Sequence, residues 1–389
     1  MASRREANGD FSPSLAGRFP LRGWLLLLTV FALLAIGLTV LSSAGDAGRT
    51  GGADYFRRQL LWLVVAVGAG VCTYGLGVRR LRVLALPLAA LSLLALALVL
   101  VPGIGIEVNG SRRWIALGAF RFQPSEPAKL GMLCLLAWYL DREARHLDRF
   151  GSGFLVPGLL VAPFAVALLL EPDLGTTALY GAVAGALLLA AGTRFSYLLL
   201  GATVGLAGLL ALILRSPERL DRILAFLEPA AHRSDGGYQL WQSLLGFGTG
   251  GLSGVGAGRG RQHLSFLPEA HTDFIFAVVG EELGFVATGS VVLLFVVFTL
   301  LVFLQLRKAP DLFEFTIVCG ALLFLCGQAL FNMGVVTGLL PTKGMSLPLI
   351  SYGGSNLVLV FALLGLILSA FRLWEAPVLA RPREIGSAA

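Results

Sequence analysis

Of 389 residues, 56% are hydrophobic and 14% charged, against about 25% charged in a soluble domain; with a mean hydropathy of +0.81, this excludes a water-soluble enzyme, a disordered chain and a coiled coil. The net charge of +7 does not point to nucleic acid, because the basic residues sit at the ends of apolar runs and form no patch with interleaved aromatics. Membrane topology explains the same excess.

Residues 1–22, with Ser, Gly, Pro and Arg, read as a disordered tail, and 376–389 as a second tail. A bilayer core of about 30 Å needs roughly 20 apolar residues per helix. Such runs predict spans near 24–43, 59–77, 83–101, 126–141, 154–171, 174–192, 196–214, 273–306, 313–335 and 355–374. The fourth is short, and the eighth is long enough to be tilted or broken. The expected fold is an all-α polytopic membrane protein of about ten helices over 23–375, with a large loop at 215–272 between helices 7 and 8. The first run is too long for a signal-peptide h-region and lacks a small-residue cleavage site, so it reads as an anchor. With the N-terminus inside, sixteen Lys and Arg fall in inner segments and seven in the short outer loops, so both termini are expected in the cytoplasm. The four cysteines lie in apolar runs without CxxC spacing and read as small buried hydrophobes.

In so apolar a chain, ionisable residues in or beside spans carry the information. Arg112, Arg113 and Trp114 precede Gln123-Pro-Ser125-Glu126. Ser125 could cap the fourth helix, and Glu126 and Lys129, three apart, face each other on it. That is either a cap with a structural ion pair or, with the two arginines, a cradle for a diphosphate or lipid head group. Asn109-Gly-Ser matches a glycosylation sequon, read as chance. Glu171-Pro-Asp173 occupies a tight turn, where the acids are either solvated or line an outward cavity. In the long loop, 218–227 and 238–245 look amphipathic and suited to the membrane interface. Residues 246–260 hold eight glycines; no strand precedes them and no Gly-Lys-Ser/Thr follows, which excludes a dinucleotide fold and a P-loop. Glycine there serves close backbone approach or a mobile loop. Glu269, His271, Thr272 and Asp273 then open an apolar helix. Thr272 or Asp273 could be its cap; alternatively, Asp273 is a partly desolvated carboxylate able to act as a general base. Glu281 and Glu282, further along the run, should face the protein interior. Gln328 and Asn332 precede a Pro- and Gly-broken stretch through Lys343, Ser351 and Gly353-Gly354, read either as a plain turn or as a folded loop lining a cavity. All these groups fall on the outer side, which gives an outward polar cavity suited to an anionic lipid-linked substrate.

The segments Gly110-Ser-Arg-Arg-Trp-Ile with Phe122-Gln-Pro-Ser-Glu, Tyr238-Gln-Leu-Trp-Gln-Ser, Leu267-Pro-Glu-Ala-His-Thr-Asp with Gly280-Glu-Glu-Leu-Gly, and Gly338-Leu-Leu-Pro-Thr-Lys-Gly with Pro348-Leu-Ile-Ser-Tyr-Gly-Gly-Ser resemble, in order over roughly 24–374, the shape, elongation, division and sporulation (SEDS) family. Pro-Thr-Lys-Gly and Pro-Glu-Ala-His-Thr-Asp resemble its division branch. The resemblance implies a peptidoglycan glycosyltransferase of the bacterial plasma membrane at the division septum, polymerising lipid II. It places the catalytic aspartate on Asp273 and the family's Glu–Lys pair on Glu126 and Lys129, with Arg112, Arg113 and Lys343 as candidate diphosphate contacts. It implies a class B penicillin-binding protein transpeptidase and other divisome proteins as partners, besides membrane lipids. A divalent cation could share the charge role, although no ligand cluster is visible. Pro127 and Asn356 depart from the usual pattern. A lipid II flippase and a non-catalytic divisome scaffold are the alternatives.

Overall fold

A computed structural model describes residues 19–43, 52–108, 111–118, 120–234, 236–261, 267 and 269–374. Both expected tails lie almost wholly outside these residues, as does the Asn109 sequon. Eleven helices are described: α1 Leu21–Ser43, α2 Gly52–Leu100, α3 Ser125–Arg142, α4 Val156–Leu170, α5 Leu174–Ala190, α6 Phe195–Leu214, α7 Pro217–Leu227, α8 Tyr238–Gly250, α9 Ile275–Leu306, α10 Leu312–Val336 and α11 Gly354–Trp374. Each expected span falls on one of them. Among the described residues, seven helices are long and apolar enough to cross a membrane, which makes this a polytopic helical membrane protein. At 17 residues α5 is shorter, and α3 carries Glu126, Lys129, Asp141 and Arg142.

α2 has 49 residues, about 74 Å at 1.5 Å per residue, enough for two passes. It breaks at Gly77 (φ 73°, ψ 157°), a left-handed conformation that glycine adopts without steric cost. The arginines after the break tie one end of the bundle together. Arg79 meets the buried Glu314 at 2.8 Å, and Arg82 meets Asp311 at 2.9 Å and Asp141 at 3.4 Å. The core lies where α11 packs between α2, α3 and α10. α6 has no buried residue, so most of its apolar surface is left for lipid, while Tyr197 and Leu198 touch the bundle.

The connection from α2 to α3, where the sequence predicts no strand, is not a plain loop. Gly105–Val108, Ser111–Leu117 and Phe120–Phe122 form an antiparallel sheet, β1-β2-β3. The alternating Arg-Trp-Ile-Ala-Leu and the turn at Gly118 (φ 63°) suit such a meander. Of the cysteines, Cys134 is buried but Cys72 is exposed on α2, where lipid rather than protein covers it.

The expected break in the eighth span is Gly284 of α9 (φ 77°, ψ −174°), and the glycine-rich loop completes it. Breaking a helix frees backbone groups that must be paired at membrane depth. Here Val255 and Gly256 donate to the carbonyls of Glu281 and Glu282 at 3.0 Å, and Phe285 and Val286 donate to Gly251 and Leu252 at 2.9 and 3.2 Å. A Cβ on Gly254 would lie 2.1 Å from the Glu282 carbonyl oxygen, so the approach requires glycine. Glu281 and Glu282 are buried as expected; Glu281 accepts from the Arg261 amide at 2.9 Å and Glu282 from the Ser43 hydroxyl. α8 does not lie free along an interface. It packs on α9, and its Ser243 hydroxyl donates to the Val336 carbonyl at 2.6 Å.

Candidate functional site

Asp273 stands two residues before α9, partly buried, at the bundle end opposite the Arg79–Glu314 pair. Neither it nor Thr272 caps the helix: the cap residue is Phe274, without a side-chain cap bond. The Thr272 hydroxyl instead donates to the Glu269 carboxylate at 3.0 Å. Glu269 turns the chain with φ 55°, and its carbonyl collects the amides of Thr272 and Asp273 at 3.1 Å. The Asp273 carboxylate lies against the next loop, since a Cβ on Gly344 would be 2.2 Å from its Oδ2. Asn332 of α10 holds both segments, donating to the carbonyls of Asp273 and Met345 at 2.7 and 2.6 Å. Burial pushes the Asp273 carboxyl up to about 7; the charge of Glu269 adds to this and Lys343 opposes it.

Lys343 Nζ lies 3.2 Å from Asp173, the residue that caps α5 by accepting from the Thr176 amide and hydroxyl. The acids of the Glu171–Asp173 turn are therefore buried, not solvated. Arg113 clamps this turn: its Nε and Nη2 donate to the carbonyls of Glu171 and Pro172 at 3.0 and 2.8 Å, and its Nη1 is 3.8 Å from Asp173. Burial raises the Asp173 carboxyl, but Lys343, Arg113 and the Thr176 bonds outweigh it and hold the group below its ordinary value. Burial, with the Asp173 charge added, pushes Glu171 up to about 8. Burial also lowers the Lys343 ammonium, and Asp173 opposes that shift.

Beside this cluster runs a second, fully packed network. Lys129 Nζ donates to both Glu126 oxygens at 2.9 and 3.0 Å and to Gln328 Oε1 at 2.7 Å. Asn356 donates to Glu126 at 3.0 Å, and Gln328 to the Ser346 carbonyl at 2.8 Å. The Glu–Lys pair expected from spacing is thus formed, and it ties α3, α10 and α11 to the loop that carries Lys343. The Ser351 hydroxyl donates to the Thr272 carbonyl at 2.5 Å, and Gln59 of α2 bonds Ser351 and the Gly353 amide.

Other expectations are corrected. Arg112 and Arg113 do not act together: Trp114 pairs with Ile106 and Arg112 with Glu107, which leaves Arg113 as the bulged residue between them, and it reaches the Glu171 turn. Arg112 pairs instead with Glu107 at 3.4 Å on the exposed side, and the half-buried Trp114 lies opposite Ile106 on β1. Ser125 does not cap α3: Pro124 is the cap residue, and the buried Ser125 hydroxyl has no partner among the described residues. The Gln123 backbone N–H donates to the Ser355 hydroxyl at 3.0 Å. Asp173 and Asn332, singled out in the sequence only as polar residues beside apolar runs, prove to be positioning groups, and Gln59, which no sequence signal marked, is a third. Among the described residues, no three or more metal-ligating side chains gather.

A helical bundle with a carboxylate near neutrality, a lysine and a carboxylate–arginine turn gathered at one end is built for proton transfer beside an anionic group. Residues 23–373 match the family model described as "Cell cycle protein", the FtsW, RodA and SpoVE family, and this chain belongs to that family. It is 42% identical over 376 residues to the "Probable peptidoglycan glycosyltransferase FtsW" of Thioalkalivibrio sulfidiphilus, covering 95% of this chain and 93% of that one. It is 38% identical over 364 residues to the protein of the same name from Pseudomonas fluorescens, covering 92% and 89%. A solved structure described as "Structural coordination of polymerization and crosslinking by a peptidoglycan synthase complex" superposes with a TM-score of 0.76 at 32% identity, over 90% of this chain and 98% of that one. The crystal structure of the Thermus thermophilus rod shape determining protein RodA gives 0.68 at 32% identity, over 90% and 96%.

Proposed function

We propose that this protein is a peptidoglycan glycosyltransferase that polymerises lipid II in septal wall synthesis, with Asp273 as general base. The observation that carries the reading is the Asp273 carboxyl, raised to about 7 within a few ångströms of a loop holding Lys343. A base near the working pH combines a useful deprotonated fraction with driving force for proton transfer. The acceptor is the glucosamine 4-hydroxyl of one lipid II. Asp273 takes its proton as the oxygen attacks the anomeric carbon of a second, and the bond to the undecaprenyl diphosphate breaks. Negative charge grows on that leaving group, and Lys343 is the cation to receive it. Arg113, engaged with the carbonyls of the Glu171 turn, positions Asp173 and through it Lys343.

The same reading puts both termini in the cytoplasm and the site outside, consistent with the excess of cations near the Gly77 end. It takes a class B penicillin-binding protein as partner at the septum, with other divisome proteins. The test is polymerisation of labelled lipid II by the purified protein with that partner, comparing the wild type with Asp273→Asn.

A further inference from the structure

A cluster outside the chemistry described so far lies beside the segment that carries Asp273. Tyr55, in the first turns of α2, stacks on His271 with centroids 4.2 Å apart and planes at 28°. Tyr352 lies 5.1 Å from Tyr55 and 5.9 Å from His271. These three distances put Tyr352 beside the pair, and Tyr55 is 36% exposed. Arg58 hydrogen-bonds the Tyr352 side chain, and Arg121 of β3 is close enough to act on it electrostatically. The group is tied rigidly to the site, because the Tyr352 amide donates to the His271 carbonyl at 2.9 Å and Ser351 holds Thr272. An interfacial aromatic anchor needs no such link to a reactive carboxylate.

An aromatic ring with a negative face suits the weakly positive C–H face of a pyranose, and flanking guanidiniums suit carboxylate or phosphate substituents. We propose that Tyr55, His271 and Tyr352, with Arg58 and Arg121, form a saccharide subsite that takes an N-acetylhexosamine chain and holds it beside Asp273. The proposal rests on the glycosyl-transfer reading and adds which residues receive the sugar.

The probe is chitotetraose, observed by saturation-transfer NMR with the full-length protein in lipid nanodiscs. The wild type and Asp273→Asn should transfer saturation to the ring and acetyl protons. Tyr55→Phe should keep that transfer and Tyr55→Leu should cut it about tenfold, with both variants melting like the wild type. No transfer in the wild type, or equal transfer in Tyr55→Leu, overturns the subsite; the latter is what a mere membrane anchor gives. Lipid II polymerisation without chitotetraose binding sinks the subsite alone, whereas binding without polymerisation sinks the polymerase reading.

Discussion

At the scale of single residues, the charges around Asp273 set its proton affinity with opposite signs. Lys343 lowers it and Glu269 raises it. A general base works when deprotonated, so activity should rise with pH through about 7. Lys343→Gln removes the opposing cation and should move that limb to higher pH, in addition to lowering the plateau. Glu269→Gln removes a like charge and should move it to lower pH. A pH–rate profile of polymerisation for the three proteins checks both signs. Gly344→Ala makes a steric test: its Cβ would overlap Asp273 Oδ2, and it should cut the rate at least tenfold, since small misplacements of a reacting group carry large rate penalties. Asp273 itself was legible in the sequence as an acid opening an apolar run among Glu269, His271 and Thr272. Its setting was not. Lys343 reaches Asp173 across 170 positions of chain, and no local spacing encodes that meeting. Arg112 and Arg113 look equivalent in sequence, but a bulge in the strand sends Arg113 to the Glu171 turn and leaves Arg112 with Glu107.

At the scale of elements, broken helices build the site. α9 breaks at Gly284, and the glycine loop supplies the lost backbone partners. An alanine at Gly284 would need a left-handed φ and would lie 2.3 Å from the Gly254 nitrogen. Gly284→Ala should destabilise by more than about 1–3 kcal/mol, the range for one strained residue, seen as a lower melting temperature in detergent. The eight glycines left open close backbone approach or a mobile loop; the structure shows the first, and its target on α9 is not readable from the sequence. The β-meander was missed for a related reason: Gly105–Phe122 is short and lies among helical spans, where apolar alternation is easily read as a connecting loop. The amphipathic stretches 218–227 and 238–245 did form helices, α7 and α8. Only packing showed that α8 belongs to the bundle.

At the scale of the whole molecule, one buried polar network joins helices far apart in sequence. Glu126 and Lys129 are 8% and 3% exposed and are shared with Asn356 and Gln328. Removing one partner of a buried pair strands the other charge, at about 3–5 kcal/mol, whereas replacing both with apolar groups is often neutral. Glu126→Ala should therefore lower thermal stability sharply, and the double change Glu126→Leu with Lys129→Met should recover most of it. If both pieces behave as polar packing, activity should follow stability in the double variant; if the pair also orients the Lys343 loop through Gln328 and Ser346, stability should return without activity. The i,i+3 spacing announced the pair, while Asn356, which looked like a departure from the family's pattern, proves to be its third member. Ten apolar runs outline the bundle because bilayer thickness imposes their length; what brings four polar segments to one end is tertiary packing, which no local pattern encodes.

The central claim is that Asp273 removes the acceptor's proton. It is tested most directly by following labelled lipid II with the purified protein and its transpeptidase partner, comparing the wild type with Asp273→Asn at equal folded fraction. Losing a positioned base should lower the rate by about 10²–10⁴-fold while leaving substrate binding in place. Glycan strands made at an undiminished rate by the folded variant would contradict the account.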